Sequence, residues 1–261
     1  MKATGLPTVP SETLFRCGMM RARARLLAIT SVLLLVGMAC AGETDVRPGQ
    51  AIVSNIPWVA PETARYRILD GGDVKGSGVL SIEARGDVLI FSQSFQAPER
   101  GVTDDISVET GATDLLPRSV RRVIGGPEGE RLCDASYAGG LAVVEQRSET
   151  GERTDELEVP APAYDSWSDL FLWRTLPFAE GYEVTYAAVL TCSLAVPAVL
   201  SVDLKVVELE TVTVPAGTFQ AWRLEVRSAG GMQKAWYVDD EARTLVRYDN
   251  GNEVFELESV D

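Results

Sequence analysis

The chain has 261 residues, 46% of them hydrophobic, and sets 24 Lys and Arg against 38 Asp and Glu, with no His. That is apolar material for one large β domain or two small ones, and it excludes disorder as the default. The first 40 residues hold five cations and one anion, leaving 19 cations against 37 anions, a net −18, in the remainder. Such a surface repels phosphate backbones and anionic lipid head groups, so nucleic acid is excluded as a partner.

Residues 1–41 read as a targeting segment. Arg21, Arg23 and Arg25 precede an apolar run over 26–36, and small residues follow in Gly37-Met38-Ala39-Cys40-Ala41. The run falls short of the roughly 20 residues that span a bilayer. A start at Met19 or Met20 would leave Cys17 out of the product. The segment resembles a bacterial lipoprotein signal, in which a Cys after small residues is acylated and becomes the mature N-terminus. Cys40 fits that role, with Gly37 standing where the family usually has Leu. The resemblance implies a membrane-anchored protein facing the periplasm or exterior. Ala41 in the next position implies no retention in the inner membrane of a diderm envelope. Ala39-Cys40-Ala41 is also an A-x-A site, and cleavage after Ala41 would release a soluble secreted protein.

Residues 42–57 are polar and broken by Pro and Gly, and read as a flexible tether. The folded part is then one antiparallel β domain over 58–261. Period-two patterns predict strands over 65–70, 78–85, 88–95, 106–109, 119–124, 132–137 and 141–147. Turns are expected at Gly71-Gly72, Gly86-Asp87, Gly125-Gly126 and Gly139-Gly140, which implies hairpins.

The pattern breaks over 165–176. Trp167, Leu170, Phe171, Leu172, Trp173 and Leu176 are apolar almost all round, and Pro177 ends the run. This predicts one short buried helix, with Ser166 and Asp169 as a variant capping box. It is either a core plug or a lid over an apolar cavity. Strands follow over 182–192 and 199–214. In the second, the apolar parity switches between Val206 and Val207, which predicts a bulge and a bent sheet. The fold class is mainly β, a curved antiparallel sheet forming a half-barrel or barrel.

Val214-Pro215-Ala216-Gly217-Thr218-Phe219 opens a strand that carries Trp222, and Trp236-Tyr237-Val238-Asp239 leads into another ending at Val246-Arg247. These roughly 35 residues resemble an uncharacterised family of bacterial envelope proteins. That resemblance implies a fold like the half-barrel of LolA and LolB, a curved sheet over a helix. The strand-rich first half is much longer here, so lipoprotein carriage does not transfer with the fold.

Trp167, Phe171, Trp173, Trp222 and Trp236 are the candidate contacts for a hydrophobic ligand, if Trp222 and Trp236 point inward; they serve a dry core equally well. Cys133 and Cys192 share strand parity with inward residues, which suits a disulfide in an oxidising compartment or two buried thiols. Without His there is no Ser-His-Asp or Cys-His arrangement, and no C-x-x-C pair, Walker loop or dinucleotide fingerprint is present. The acidic clusters Asp104-Asp105 and Asp239-Asp240-Glu241 lack an EF-hand pattern, so no metal or cofactor is expected. The functional expectation is a non-enzymatic envelope lipoprotein binding a lipid or other apolar ligand in the concavity. Its alternative is a structural or assembly protein with a dry core and an envelope protein partner. A two-carboxylate hydrolase stands well behind both.

Overall fold

The computed structural model describes residues 50–193, 196–229 and 231–261. They are mainly strand. The chain runs through β1 (Glu62–Asp70), β2 (Asp73–Arg85), β3 (Val88–Ala97), β4 (Val102–Gly111), β5 (Pro117–Gly126), β6 (Gly129–Ala138), β7 (Leu141–Ser148) and β8 (Gly151–Glu158). After a helical segment it continues through β10 (Glu183–Leu190), β11 (Ala198–Val214), β12 (Gly217–Ser228), β13 (Gly231–Val238), β14 (Leu245–Asp249) and β15 (Glu253–Val260); β9 (Tyr164–Asp165) is a two-residue strand before that segment. Neighbours in sequence are neighbours in the sheet, and β1 pairs with β15. The order therefore runs from β8 back to β1, crosses to β15 and returns to β9, so the curved sheet is left unclosed between β8 and β9.

The roll follows from alternation. Ile82, Phe91, Val108, Val120, Ala135 and Val144 are successive cross-strand partners from β2 to β7, and all are buried. Their exposed neighbours in sequence are polar or charged, so one face of the sheet is concave and dry. The bulge expected after Val206 is present: Val206 pairs with Leu224 and Glu208 with Arg223, leaving Val207 extra. The turns at Gly71-Gly72 and Gly139-Gly140 form with positive φ at both residues, the conformation of two-residue hairpins. The turn expected at Gly125-Gly126 falls two residues later. Both glycines continue β5, and Gly126 pairs with Gly129 across Pro127-Glu128.

The helical segment is shorter and less regular than one helix. A 3-10 turn (Ser166–Ser168), α1 (Asp169–Leu172) and a second 3-10 turn (Trp173–Thr175) follow one another. Asp165, not Ser166, is the cap: its carboxylate accepts from the Trp167 amide at 2.9 Å. Phe171, Leu172, Trp173 and Leu176 are fully buried in the concavity. Phe171 stacks on Phe91 at 4.5 Å, and the Trp173 indole donates to the Tyr186 hydroxyl at 2.8 Å. The segment is a core plug.

The domain also begins before Trp58. Ile52 is buried, its amide donates to the Tyr164 hydroxyl, and the Ser54 and Asn55 amides donate to the Thr175 carbonyl. The part of the expected tether from Ile52 to Pro57 is thus a strap over the end of the plug. The targeting segment, Cys40 and the start of the tether lie outside the described residues. Among the described residues, no helix is long and apolar enough to cross a membrane, which says nothing about strands.

Candidate functional site

The boundary that no backbone ladder closes is joined by side chains. Tyr137, Ala142 and Leu157 are partners on the concave face of β6–β8. Tyr137, Leu157 and Val159 pack against Ala163, Ala187, Val189 and Val199. Ala187 and Val189 alternate with the inward Tyr186 and Ala188, so they lie on the convex face of β10, yet both are buried. The inner face of β6–β8 therefore overlaps the outer face of β10–β11, as the free edge of a scroll overlaps the turn beneath.

Polar contacts fix the overlap. Asp165 is fully buried and accepts from the Tyr137 hydroxyl at 2.5 Å and the Thr191 hydroxyl at 2.8 Å. Burial pushes its carboxyl up to about 6, and the donors from Tyr137, the Trp167 amide and Thr191 oppose that shift. Asp169, facing the plug's other side, accepts from Tyr186 at 2.8 Å. Burial holds its carboxyl well above the usual carboxylate range against that hydrogen bond, and Asp165 nearby adds to the shift. Both acids serve as acceptors for the plug and its neighbours.

Next to the overlap, a second inward row mixes apolar and polar residues. Leu80, Gln93, Ile106, Arg122, Cys133 and Gln146 are successive partners. Each polar member of that row reaches a backbone carbonyl. Gln93 donates to Trp167, Arg122 to Cys192 at 2.7 Å, and Gln146 to Ser193 at 3.3 Å. Arg122 also grips both carboxylate oxygens of Asp104, at 2.8 and 2.6 Å, and lies 4.2 Å over the Trp167 ring. Cys133 and Cys192 form a disulfide. Beyond it the concavity is left open as a cleft of about 650 Å³. Its lining includes Arg122, Ile124, Arg131, Leu132, Gln146, Ser148 and the disulfide.

The five candidate ligand contacts lie in or against the filled core, and none of them lines the cleft. Phe171 and Trp173 are in the filled core, and Trp167 lies under Arg122. Trp222 pairs with Tyr237 and Trp236 with Arg223, so the two tryptophans stand on opposite faces of the sheet. Trp222 donates to Asp239 at 2.8 Å, whereas Trp236 is covered by Arg247 and bonded to Glu210. The acidic clusters are engaged by protein donors: Asp104 by Arg122, Asp239 by Trp222, and Asp240 by the Arg243 amide at 2.7 Å. Among the described residues, no group of three or more His, Cys, Asp or Glu could hold a metal. Arg122, Gln93 and Gln146 were missed as site residues. Their only sequence signal is a polar residue on the apolar parity of a strand.

These features define a rolled antiparallel β-sheet plugged by its own helical segment, with a cleft beside a disulfide. Residues 63–257 match the family model described as protein of unknown function DUF3108, and the chain belongs to that family. No curated protein matches. Among solved structures, the chain is similar to the β-barrel-like protein of the domain of unknown function DUF1849 from Brucella abortus, with 14% identity and a TM-score of 0.52 over 77% of this chain and 97% of that one. At that identity the likeness shows the fold alone. A DUF1089 family protein from Pseudomonas aeruginosa is 13% identical, with a TM-score of 0.40 over 66% of this chain and 88% of that one.

Proposed function

We propose that the protein is an exported, non-enzymatic binding protein that holds an amphipathic lipid or acylated ligand in the cleft beside the disulfide. The observation that carries this reading is the division of the concavity. Its apolar part is filled by Phe171, Leu172, Trp173 and Leu176, and its open part is the cleft of about 650 Å³. The cleft is ligand-sized, and its lining is mostly charged and polar, with Arg122, Glu128, Arg131, Glu149 and Glu152 beside a smaller apolar part, so the polar head of a ligand would make most of the contacts. Ile124 and the disulfide offer apolar contact, and Arg131, Gln146 and Ser148 offer polar contact, which suits a molecule with both parts. The disulfide supports export to an oxidising compartment. In this reading Cys40 carries the lipid anchor. The test is native mass spectrometry of protein purified from membranes of its own host. The wild type should carry a noncovalent mass that leaves on denaturation, and Ile124→Trp should lose it with the fold intact. No bound mass, or one indifferent to Ile124→Trp, would sink the reading.

The filled core favours a second reading, an assembly role in the envelope through the outer strands. Crosslinking that captures one specific envelope protein, from material with no bound small molecule, is its signature.

A further inference from the structure

We infer that Cys133–Cys192 is a thiol–disulfide exchange site whose reduction releases the β6–β8 overlap. Every other neighbouring pair of strands is held by a backbone ladder. Among the described residues no backbone ladder crosses the overlap, side chains make its contacts, and the disulfide sits among them. The Tyr137–Asp165, Arg122–Cys192 and Gln146–Ser193 bonds across it all involve a residue within four positions of one cysteine or the other. The crosslink is what keeps those partners in register. β8 adds little hold of its own, since most of its residues are exposed and it pairs only with β7.

Both cysteines are largely buried but line the cleft, and Cys133 is the more exposed at 8% against 2%, so any approach to the bond is from the cleft at Cys133. Arg122 is the cross-strand partner of Cys133 and donates to the Cys192 carbonyl while its charge is paired with Asp104, so this residue ties the two halves of the bond together. A partner dithiol of the thioredoxin-fold class would attack the Cys133 sulfur as thiolate. The S–S bond breaks, a mixed disulfide forms at Cys133, and Cys192 leaves as a thiolate that takes up a proton. The partner's second thiol then displaces Cys133. Two electrons and two protons pass to the protein, and the partner leaves oxidised. This does not depend on what the cleft binds.

The test treats the folded, oxidised protein with dithiothreitol, without denaturant, and reads thiols by alkylation and backbone protection by hydrogen exchange. The expected result is reduction under native conditions with faster exchange confined to β6–β8 and the segment around Cys192. Glutathione should be trapped at Cys133. A bond that resists reduction until denaturant is added overturns the proposal. So does reduction with unchanged exchange, or exchange raised equally in β12–β15. Ligand retention is measured separately, and its loss in Ile124→Trp bears on the binding reading alone.

Discussion

Tyr137 donates a 2.5 Å hydrogen bond to Asp165 and so ties β6 to the first residue before the helical plug, across the one boundary of the sheet without a ladder. The contact makes the overlap sensitive to pH. Asp165 titrates near 6 in the folded protein, above its ordinary value of 3.8. The folded state thus holds this proton more tightly than the unfolded chain. The stability it contributes is fully present below 3.8 and is lost as pH rises through about 6, a change on the order of 3 kcal/mol. Urea unfolding across that window should show stability falling as pH rises, and Asp165→Asn should make the fall shallower, with Asp169 still contributing in the same direction. A wild-type curve that rises instead would refute the assignment.

Tyr137→Phe removes one of the donors that hold the Asp165 carboxyl down, so its pKa should rise further. The lost charge-assisted hydrogen bond should cost about 1.5–3 kcal/mol above the transition, where Asp165 is ionised, and less below it. Equal losses at both ends would mean that the hydrogen bond is worth the same whether or not Asp165 is ionised, and no loss at either end would mean that Tyr137 acts through its ring packing against Ala187 and Val189.

Replacing both cysteines by Ala should destabilise the domain by about 4 kcal/mol on the chain-entropy estimate for a separation of 59 residues. Equilibrium unfolding of the double variant against the oxidised wild type measures it. A loss near zero would show that the side-chain contacts hold the overlap unaided.

The aromatic residues divide by place in the fold. Trp173→Ala opens the filled core and should cost about 3–5 kcal/mol. Trp222→Ala removes a half-buried ring with its hydrogen bond at an exposed carboxylate, and should cost clearly less. Tryptophan fluorescence during unfolding of the two variants tests the order.

That division marks how far the sequence could be read. The strand succession, the plug and the bulge at Val207 all follow from period-two alternation and its interruption. The inward or outward sense of Trp236 does not. Alternation places Trp236 with Lys234 and opposite Tyr237, but both residues are apolar enough to face inward, and only pairing with Arg223 and Arg247 assigns the outer face. β8, Gly-Glu-Arg-Thr-Asp-Glu-Leu-Glu, was unreadable because a charged edge strand has no apolar alternation to show. The cleft is unreadable for the converse reason. Arg122 and Gln146 lie on the apolar parity of their strands, and their role arises from carbonyls far away in sequence.

The same logic of long-range partners governs Arg174. It is 3% exposed, grips both oxygens of Glu62 at 2.6 and 2.9 Å, and donates to the Ala242 carbonyl at 2.6 Å. Its guanidinium also lies 5.2 Å over the Trp58 ring. The pair thus anchors the end of the plug to β1 and to the turn before β14. Removing one partner leaves a buried charge without compensation, so Glu62→Gln or Arg174→Met should each cost about 3–5 kcal/mol. Removing both, as Glu62→Leu with Arg174→Met, replaces two desolvated charges by apolar packing and should cost less than either single change. Denaturant titration of the three variants gives the coupling directly. A double variant that loses the sum of the two single losses would show that Glu62 and Arg174 stabilise the plug independently, through Ala242 and Trp58 rather than through each other.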